Sequence, residues 1–130
     1  MTSITLFGAS GRMGKAIAEV AADRDDVTIV EGSADVFVDF SSPEGLEHHL
    51  ETADEARRPI LIGTTGLTDA HRQRIDEAAA RIAVLPAANT SLGVNLLAYL
   101  VRDTAARLGE DWEVEVVEMH RPHKLDAPSG

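Results

Sequence analysis

Short apolar runs alternate with segments of helical spacing along most of the chain. The runs, rich in β-branched residues, predict strands at residues 4–7, 27–30, 36–40, 59–62 and 82–85. Apolar residues three and four positions apart predict helices over residues 12–22, 43–57, 68–80 and 91–108. Strands separated by helices of this length are typical of an α/β fold, a doubly wound, mostly parallel sheet with helices on its faces. Alternation over residues 113–118 predicts one more strand.

The connection between the second and third runs is unusually short. Only residues 31–34 lie between them, with Asp35 at the edge. A parallel crossover needs about a dozen residues, usually with a helix. We therefore expect a sheet shortened near residues 31–35, or else a segment 27–30 that is not a standard parallel strand.

Charge and composition exclude several classes of protein. Lys and Arg number 12 against 22 Asp and Glu, a net charge of −10, which argues against nucleic acid as a partner. The absence of cysteine excludes disulfides, thiolate metal sites and a Cys nucleophile. No apolar run approaches the roughly 20 residues that span a bilayer, and no signal-peptide pattern follows Met1. A soluble, cytoplasmic protein without a membrane partner is expected.

A glycine-rich turn joins the first predicted strand to the first predicted helix. Gly8, Gly11 and Gly14 form a G-x-x-G-x-x-G pattern. Such glycines allow a tight turn and a close approach to a pyrophosphate, and the helix N-terminus offers free N–H groups and partial positive charge. In its strand–turn–helix context the pattern predicts dinucleotide binding and a Rossmann-like sheet.

An acidic residue at the end of the second strand is the usual ribose ligand of such sites. Glu31 occupies that place, although it is equally interpreted as a solvated turn residue. No Lys or Arg follows Glu31 to bind a 2′-phosphate, so NADH is favoured weakly over NADPH. Arg12 is the residue that would instead favour NADPH.

Small polar turns follow two further strands. Residues 63–66 follow the fourth run and residues 87–91 follow the fifth. Ligands of open α/β sheets bind outside the carboxyl ends of the strands, so these turns are expected to line one crevice with the glycine loop. The alternative is that they are caps and turns alone.

A cationic cluster stands near the end of this acidic chain. His120, Arg121, His123 and Lys124 lie within five residues. The cluster suits a small anionic substrate, with His120 as a general acid and Lys124 as a lysine whose proton is made available. A solvated basic loop is the alternative. A metal is not expected, because His120 and His123 lack a third ligand. His48, His49 and His71 are interpreted as surface residues of charged helices.

Five motifs together resemble the dihydrodipicolinate reductase (4-hydroxy-tetrahydrodipicolinate reductase) family. They are residues 8–14, 38–44, 62–66, 87–95 and 118–130, and they touch nearly the whole chain. The resemblance implies NAD(P)H-dependent reduction of the cyclic dicarboxylate 4-hydroxy-tetrahydrodipicolinate to tetrahydrodipicolinate in lysine and diaminopimelate biosynthesis, by a homotetramer. A catalytically incomplete dinucleotide-binding module, or a fragment of such a reductase, is the alternative.

The resemblance also implies roles for individual residues. The cofactor positions are Gly8, Ala9, Ser10, Gly11, Arg12, Met13, Gly63, Thr64, Thr65, Ala87, Ala88, Asn89 and Thr90. His120 matches the proton donor and Lys124 the catalytic lysine. Ser129 and Gly130 match the start of the loop that holds a substrate carboxylate, and Arg121 is a further candidate for binding a carboxylate.

Three departures from the family pattern qualify the resemblance. Arg121-Pro122 stands where the family has a second histidine, the segment 31–35 is shorter, and the family continues well beyond residue 130. We therefore expect a Rossmann-like domain over residues 1–110. Residues 111–130 would begin a substrate-binding α+β domain whose remainder is absent from this shortened member.

Overall fold

The computed structural model describes residues 1–117 and 119. The chain forms two units, residues 1–88 and the residues from 89 onward. The first unit contains strands β1 (Thr2–Phe7), β2 (Val27–Ile29), β3 (Val36–Asp39), β4 (Ile60–Ile62) and β5 (Val84–Pro86), and helices α1 (Arg12–Ala22), α2 (Leu46–Glu55) and α3 (Asp69–Ala79). A single 3-10 turn, Pro43–Gly45, leads into α2. The second unit contains α4 (Leu92–Leu108).

The five strands form one parallel sheet in the order β2-β1-β3-β4-β5. The chain moves outward in one direction from β1 to β2 and in the other direction from β3 to β5. The strand order therefore reverses between β1 and β3, the position where open α/β sheets bind ligands. The predicted Rossmann-like, doubly wound parallel sheet is confirmed.

The core lies between one face of the sheet and helices α2 and α3. Phe37, Ile60 and Ile62 project from neighbouring strands and are almost completely buried. They pack against residues that recur at helical spacing on the two helices, namely Leu46, Leu50, Ala53, Ile75 and Ala78. The apolar spacing that predicts these helices is therefore the spacing of the side chains that they bury.

A stagger of the strands explains the short connection between β2 and β3. Ile29 at the end of β2 is level with Ile4 of β1, and Val36 at the start of β3 is level with the same residue. Because the two strands border different halves of β1, the chain does not return along the strand axis. It only crosses β1, about 10 Å or two inter-strand spacings. The strand over residues 27–29 is thus parallel, and the unit around it is shortened.

Two hydroxyl groups of β1 hold the crossing segment. Thr5 Oγ1 donates to the carbonyls of Val30 and Gly32, at 3.1 and 2.9 Å. Ser3 donates from its N–H (2.9 Å) and its hydroxyl (2.7 Å) to Asp35 Oδ2. These bonds lower the pKa of the Asp35 carboxyl, the Ser3 N–H having the largest effect.

The second unit consists of α4 and the residues that follow it. Ser91 caps α4 by accepting from Val94 N, and Gly109 ends it with φ of 76°. None of the α4 residues is buried. The strand predicted over residues 113–118 is wrong as far as residue 117, and Glu118 lies outside the described residues. Among the described residues this unit offers no other strand with which it would pair.

The boundary between the two units falls between Ala88 and Asn89 in the sequence, before the start of α4. The domain boundary expected after residue 110 falls on the other side of that helix and stays a prediction. No helix in the described part of the chain is long and apolar enough to cross a membrane.

Candidate functional site

The carboxyl ends of β1, β3, β4 and β5 lie side by side in the first unit. Backbone hydrogen bonds continue past the strands, from Phe40 N to Phe7 O (3.1 Å), from Gly63 N to Asp39 O (2.8 Å) and from Ala87 N to Ile62 O (2.8 Å). These bonds bring the glycine loop, residues 40–42, residues 63–65 and residues 87–88 to one edge of the sheet. The turns predicted to share a crevice thus emerge from neighbouring strands.

Gly8 is required where the glycine loop meets the loop after β3. Its φ is +79°, a conformation that L side chains rarely adopt. A Cβ on Gly8 would lie 2.5 Å from the carbonyl oxygen of Phe40 and 2.9 Å from the Cα of Ser41. A Cβ on Gly14 would collide with the backbone of Gly8 and Ala9. The glycines therefore allow β1, α1 and the loop after β3 to approach closely.

The N-terminus of α1 is left open, unlike that of α3. Its N-cap is Gly11, which has no side chain to accept from the first N–H groups, and its first turn has no acidic residue. Arg12 and Lys15 place positive charge where the helix dipole is already positive. By contrast, Thr68 caps α3 with its side chain and Asp69 follows in the first turn. The end of α1 is therefore suited to an anion that would supply the missing acceptors and negative charge.

A buried polar cluster, which the sequence analysis did not identify, lies beneath this edge. Asp39 at the end of β3 is 0% exposed and its Oδ2 is 2.9 Å from Nδ1 of His49. The interpretation of His49 as a surface residue is wrong, because its side chain is 14% exposed and its ring stacks on Phe7. The available signal was Asp39 itself, a lone charge within the apolar run of residues 36–40.

His48 and His71, also predicted to be surface residues, have surroundings different from those of His49. His48 is exposed. His71 completes the cap of α3, since its Nδ1 accepts from Thr68 N at 3.1 Å. Neither contributes to the edge of the sheet that carries the glycine loop.

The candidate residues after β4 and β5 differ in exposure. Thr64 is buried and its hydroxyl donates to Asp39 Oδ1 at 3.1 Å, so its side chain supports the edge from below. Gly63 lies under the ring of Phe40, and a Cβ there would collide with that ring. Thr65 and Ala87 are half-buried, and Ala88 is exposed.

Glu31 lies beside the middle of β1, whereas the glycine loop follows the carboxyl end of that strand. The carbonyls on either side of it, of Val30 and Gly32, both accept from Thr5, which precedes Gly8 by three positions. Its side chain is exposed. Its role as a ribose ligand stays a prediction.

The remaining candidates belong to the second unit. Asn89 Oδ1 accepts from Ser91 N at 2.9 Å, which braces the start of α4, and Thr90 is exposed. The predicted catalytic and substrate-binding residues His120, Arg121, Lys124, Ser129 and Gly130 lie outside the described residues. Within the described part of the chain, no group of three His, Cys, Asp or Glu side chains is placed to hold a metal ion.

Two family sequence models match consecutive parts of the chain. The model "Dihydrodipicolinate reductase, N-terminus" matches residues 25–90, and "Dihydrodipicolinate reductase, C-terminus" matches residues 93–130. The glycine loop precedes the first matched range. Alignments with individual relatives, however, include 98–100% of the chain.

Two curated relatives are both named 4-hydroxy-tetrahydrodipicolinate reductase. The chain is 48% identical to the protein of Zymomonas mobilis over 145 residues, which covers 98% of this chain and 57% of that protein. It is 41% identical to the protein of Akkermansia muciniphila over 142 residues, covering 100% and 58% respectively. Both alignments are longer than the 130 residues of this chain, so each relative carries segments that the chain lacks.

A solved structure shares the fold. Dipicolinate-bound dihydrodipicolinate reductase from Paenisporosarcina sp. TG-14 matches with a TM-score of 0.68 and 23% identity, over 100% of this chain and 62% of that chain. The chain thus spans less than two thirds of the length of the proteins that it matches. Since the two sequence models account for most of its length, the chain belongs to the dihydrodipicolinate reductase family.

Proposed function

We propose that this chain binds NADH or NADPH and serves the reduction of 4-hydroxy-tetrahydrodipicolinate to tetrahydrodipicolinate. The two curated relatives are named reductases of this substrate. The observation that carries the cofactor part is the open N-terminus of α1, with an uncapped glycine, no acid and two cations in its first turn. A pyrophosphate supplies both the acceptors and the charge that this helix end lacks.

The residues at the edge of the sheet fit a dinucleotide. The glycine loop from Gly8 to Met13 would hold the pyrophosphate through backbone N–H groups, since its glycines leave no side chain in the way. Residues 63–65 and 87–88 would line the path of the cofactor toward the nicotinamide, and the family resemblance adds Asn89 and Thr90 as cofactor positions. The bound cofactor supplies the hydride.

The substrate end of the proposal rests on the family resemblance. The proposed substrate is a dicarboxylate, and the Paenisporosarcina reductase is described as bound to dipicolinate. Arg121, Ser129 and Gly130 would bind its carboxylates, and His120 would deliver a proton to the carbon beside the one reduced. Lys124, four positions after His120 in the sequence, would serve as the catalytic lysine that the family resemblance implies. We also include in the proposal a homotetrameric assembly and a cytoplasmic location.

We further propose a preference for NADH. Glu31 is an exposed carboxylate, and no cation follows it directly in the sequence. A carboxylate near the ribose accepts from a 2′-hydroxyl and repels a 2′-phosphate. Arg12, at the first position of α1, is the residue that would favour NADPH, so Glu31→Gln is expected to reduce the difference between the two affinities.

A cofactor-binding part without turnover is the alternative function. It is favoured by one observation, that the chain spans only 57–58% of the two curated relatives. The two functions are distinguished by an assay of the 130-residue chain with 4-hydroxy-tetrahydrodipicolinate, in which the loss of NADH absorbance is followed. Turnover that His120→Ala lowers by about 100-fold or more supports the reductase, whereas binding of NADH without turnover supports the alternative.

The cofactor site is tested at Gly11, whose φ of −73° and ψ of 174° are open to any residue. A Cβ there would lie 3.2 Å from Gly8 O, a tight contact that both variants below share. Gly11→Asp would place a carboxylate at the N-cap, which favours the helix but repels a pyrophosphate. We expect the folded variant to bind NADH at least tenfold more weakly than the unsubstituted chain, as measured by calorimetry. Gly11→Asn, a neutral cap of the same size, is the control and should lose less affinity. Equal affinities for all three chains would contradict the assignment.

A further inference from the structure

A fully buried carboxylate stands at the end of β3 among apolar neighbours. Asp39 lies on the same face of the sheet as Phe37 and level with Ile62, and none of its surface is exposed. Burial of a charged group is costly unless hydrogen bonds replace its water. The partners of Asp39 therefore indicate what this costly group holds in place.

One oxygen of Asp39 joins two loops of the candidate site. Oδ1 accepts from the N–H of Ser41 at 2.8 Å, from the hydroxyl of Ser41 at 2.6 Å and from the hydroxyl of Thr64 at 3.1 Å. Ser41 belongs to the loop after β3 and Thr64 to the loop after β4. The position of both loops therefore depends on this one oxygen.

The other oxygen joins β3 to α2 and, through α2, to the end of β1. His49 Nδ1 lies 2.9 Å from Asp39 Oδ2 and donates to it, because a carboxylate only accepts. The imidazole ring is nearly parallel to the ring of Phe7, with centroids 3.9 Å apart and an interplanar angle of 7°. Phe7 directly precedes Gly8, the first residue of the glycine loop.

The loop that Asp39 holds is the loop against which Gly8 packs. The space at Gly8 is so limited that a Cβ would lie 2.5 Å from Phe40 O and 2.9 Å from Ser41 Cα. Displacement of Ser41 by a few tenths of an ångström would therefore change the space available to Gly8. Asp39 thus holds, through Ser41, the segment against which Gly8 packs, and His49 contacts Phe7, the residue before Gly8.

We propose that Asp39 and His49 form a positioning pair, which sets the conformation of the glycine loop and thereby the affinity for the dinucleotide. The consequence for affinity rests on the proposed function, whereas the consequence for loop conformation does not. A pair that only stabilises the fold would change the free energy of unfolding and leave the loop and the affinity of the folded protein unchanged.

The first test uses the ligand-free chain and two adjacent histidines. His49→Phe keeps an aromatic ring against Phe7 but removes the donor to Asp39, and His48→Phe makes the same change at an exposed neighbour. By amide NMR we expect His49→Phe to shift the Gly8 and Gly11 signals and to speed hydrogen exchange at Ser41 N at least tenfold. The ring of His48 lies 6.0 Å from that of His49, and His48→Phe keeps an aromatic ring there, so the control should change neither. Unchanged Gly8 and Ser41 amides in folded His49→Phe would overturn the proposal.

The second test measures the dissociation constant for NADH of the same folded proteins. We expect binding at least fivefold weaker for His49→Phe and unchanged for His48→Phe. Equal affinity of the folded His49→Phe variant and the unsubstituted chain would also overturn the proposal. Should the unsubstituted chain bind no NADH, the proposed function fails for this chain, and the amide signals alone decide whether the pair positions the loop.

A second variant covers the case in which His49→Phe does not fold. Asp39→Asn has nearly the same shape, but its amide nitrogen cannot accept from His49 Nδ1–H. The same shifts at Gly8 and Gly11, the same faster exchange at Ser41 and the same weaker binding are expected. Their absence in the folded Asp39→Asn protein would overturn the proposal.

Discussion

At the scale of single residues, the candidate site depends on glycines that differ in what surrounds them. Gly8 and Gly32 both have positive φ, +79° and +83°. A Cβ on Gly8 would collide with Phe40 and Ser41, whereas a Cβ on Gly32 would meet no atom within 4 Å. Comparing the same substitution at Gly8 and at Gly32 therefore separates the free-energy cost of the positive φ from the cost of crowding.

We predict that Gly8→Ala destabilises the protein much more than Gly32→Ala. Positive φ alone costs an L residue about 1–2 kcal/mol, and crowding adds about 1–3 kcal/mol at Gly8 only. Urea unfolding of both variants measures the difference. Equal losses would show that the loop after β3 yields to an added methyl group, contrary to the close contact seen at Gly8.

At the scale of elements, the connection from β2 to β3 replaces a crossover helix with hydroxyl and carboxylate bonds. Ser3 and Thr5 of β1 hold residues 30–35 through their hydroxyl groups. The helix boundaries, in contrast, follow local signals: α1 has the predicted bounds 12–22, and Ser91 and Gly109 flank α4 as predicted.

We predict that Asp35 contributes stability that disappears in acid. Its bonds to Ser3 place the pKa of the folded state below that of the unfolded chain. The contribution is therefore complete above the unfolded-state pKa, near 4, and is lost as the pH falls through the folded-state pKa. Urea unfolding of the unsubstituted chain and of Asp35→Asn, at a series of pH values, should show a difference at neutral pH that shrinks as the pH falls below the unfolded-state pKa.

The exposed Asp25, whose side chain makes no hydrogen bond seen in the described residues, supplies the control for this measurement. Asp25→Asn is expected to leave the pH dependence unchanged. A difference between Asp35→Asn and the unsubstituted chain that persists undiminished in acid would contradict the role of the Asp35 charge.

At the scale of the whole molecule, the buried apolar core belongs to the first unit. The core cluster spans Phe37 to Ala78, while the large apolar residues of α4 are exposed. Leu46 of α2 is 0% exposed and Leu97 of α4 is 60% exposed. The same substitution at these two leucines therefore measures where stability resides.

We predict that Leu46→Ala lowers the free energy of unfolding by about 2–5 kcal/mol, because it leaves a cavity in the core. Leu97→Ala is expected to change it by no more than about 0.5 kcal/mol, since both residues favour a helix and little apolar area is buried there. Chemical denaturation followed by circular dichroism measures both. A loss at Leu97 as large as that at Leu46 would mean that α4 is packed more tightly than the structure shows.

Sequence patterns predict correctly those parts of this protein that depend on neighbouring residues. The strand–glycine loop–helix unit, the alternation of strands and helices and the ends of α4 follow from apolar spacing and from caps, which are local. The strand predicted over residues 113–118 is wrong as far as residue 117, because a strand needs a partner, and its sequence carries no information about one.

The contacts between distant segments, in contrast, depend on the three-dimensional packing of the chain. The stagger of β2 and β3 along β1 depends on strand register. Because of this stagger, the short connection over residues 30–35 is long enough to join the two strands. Asp39 and His49 are ten positions apart, and their pairing beneath the glycine loop depends on how α2 packs on the sheet. A charge in an apolar strand indicates that some partner exists, but only packing decides which side chain it is, because burial makes each unsatisfied polar group costly.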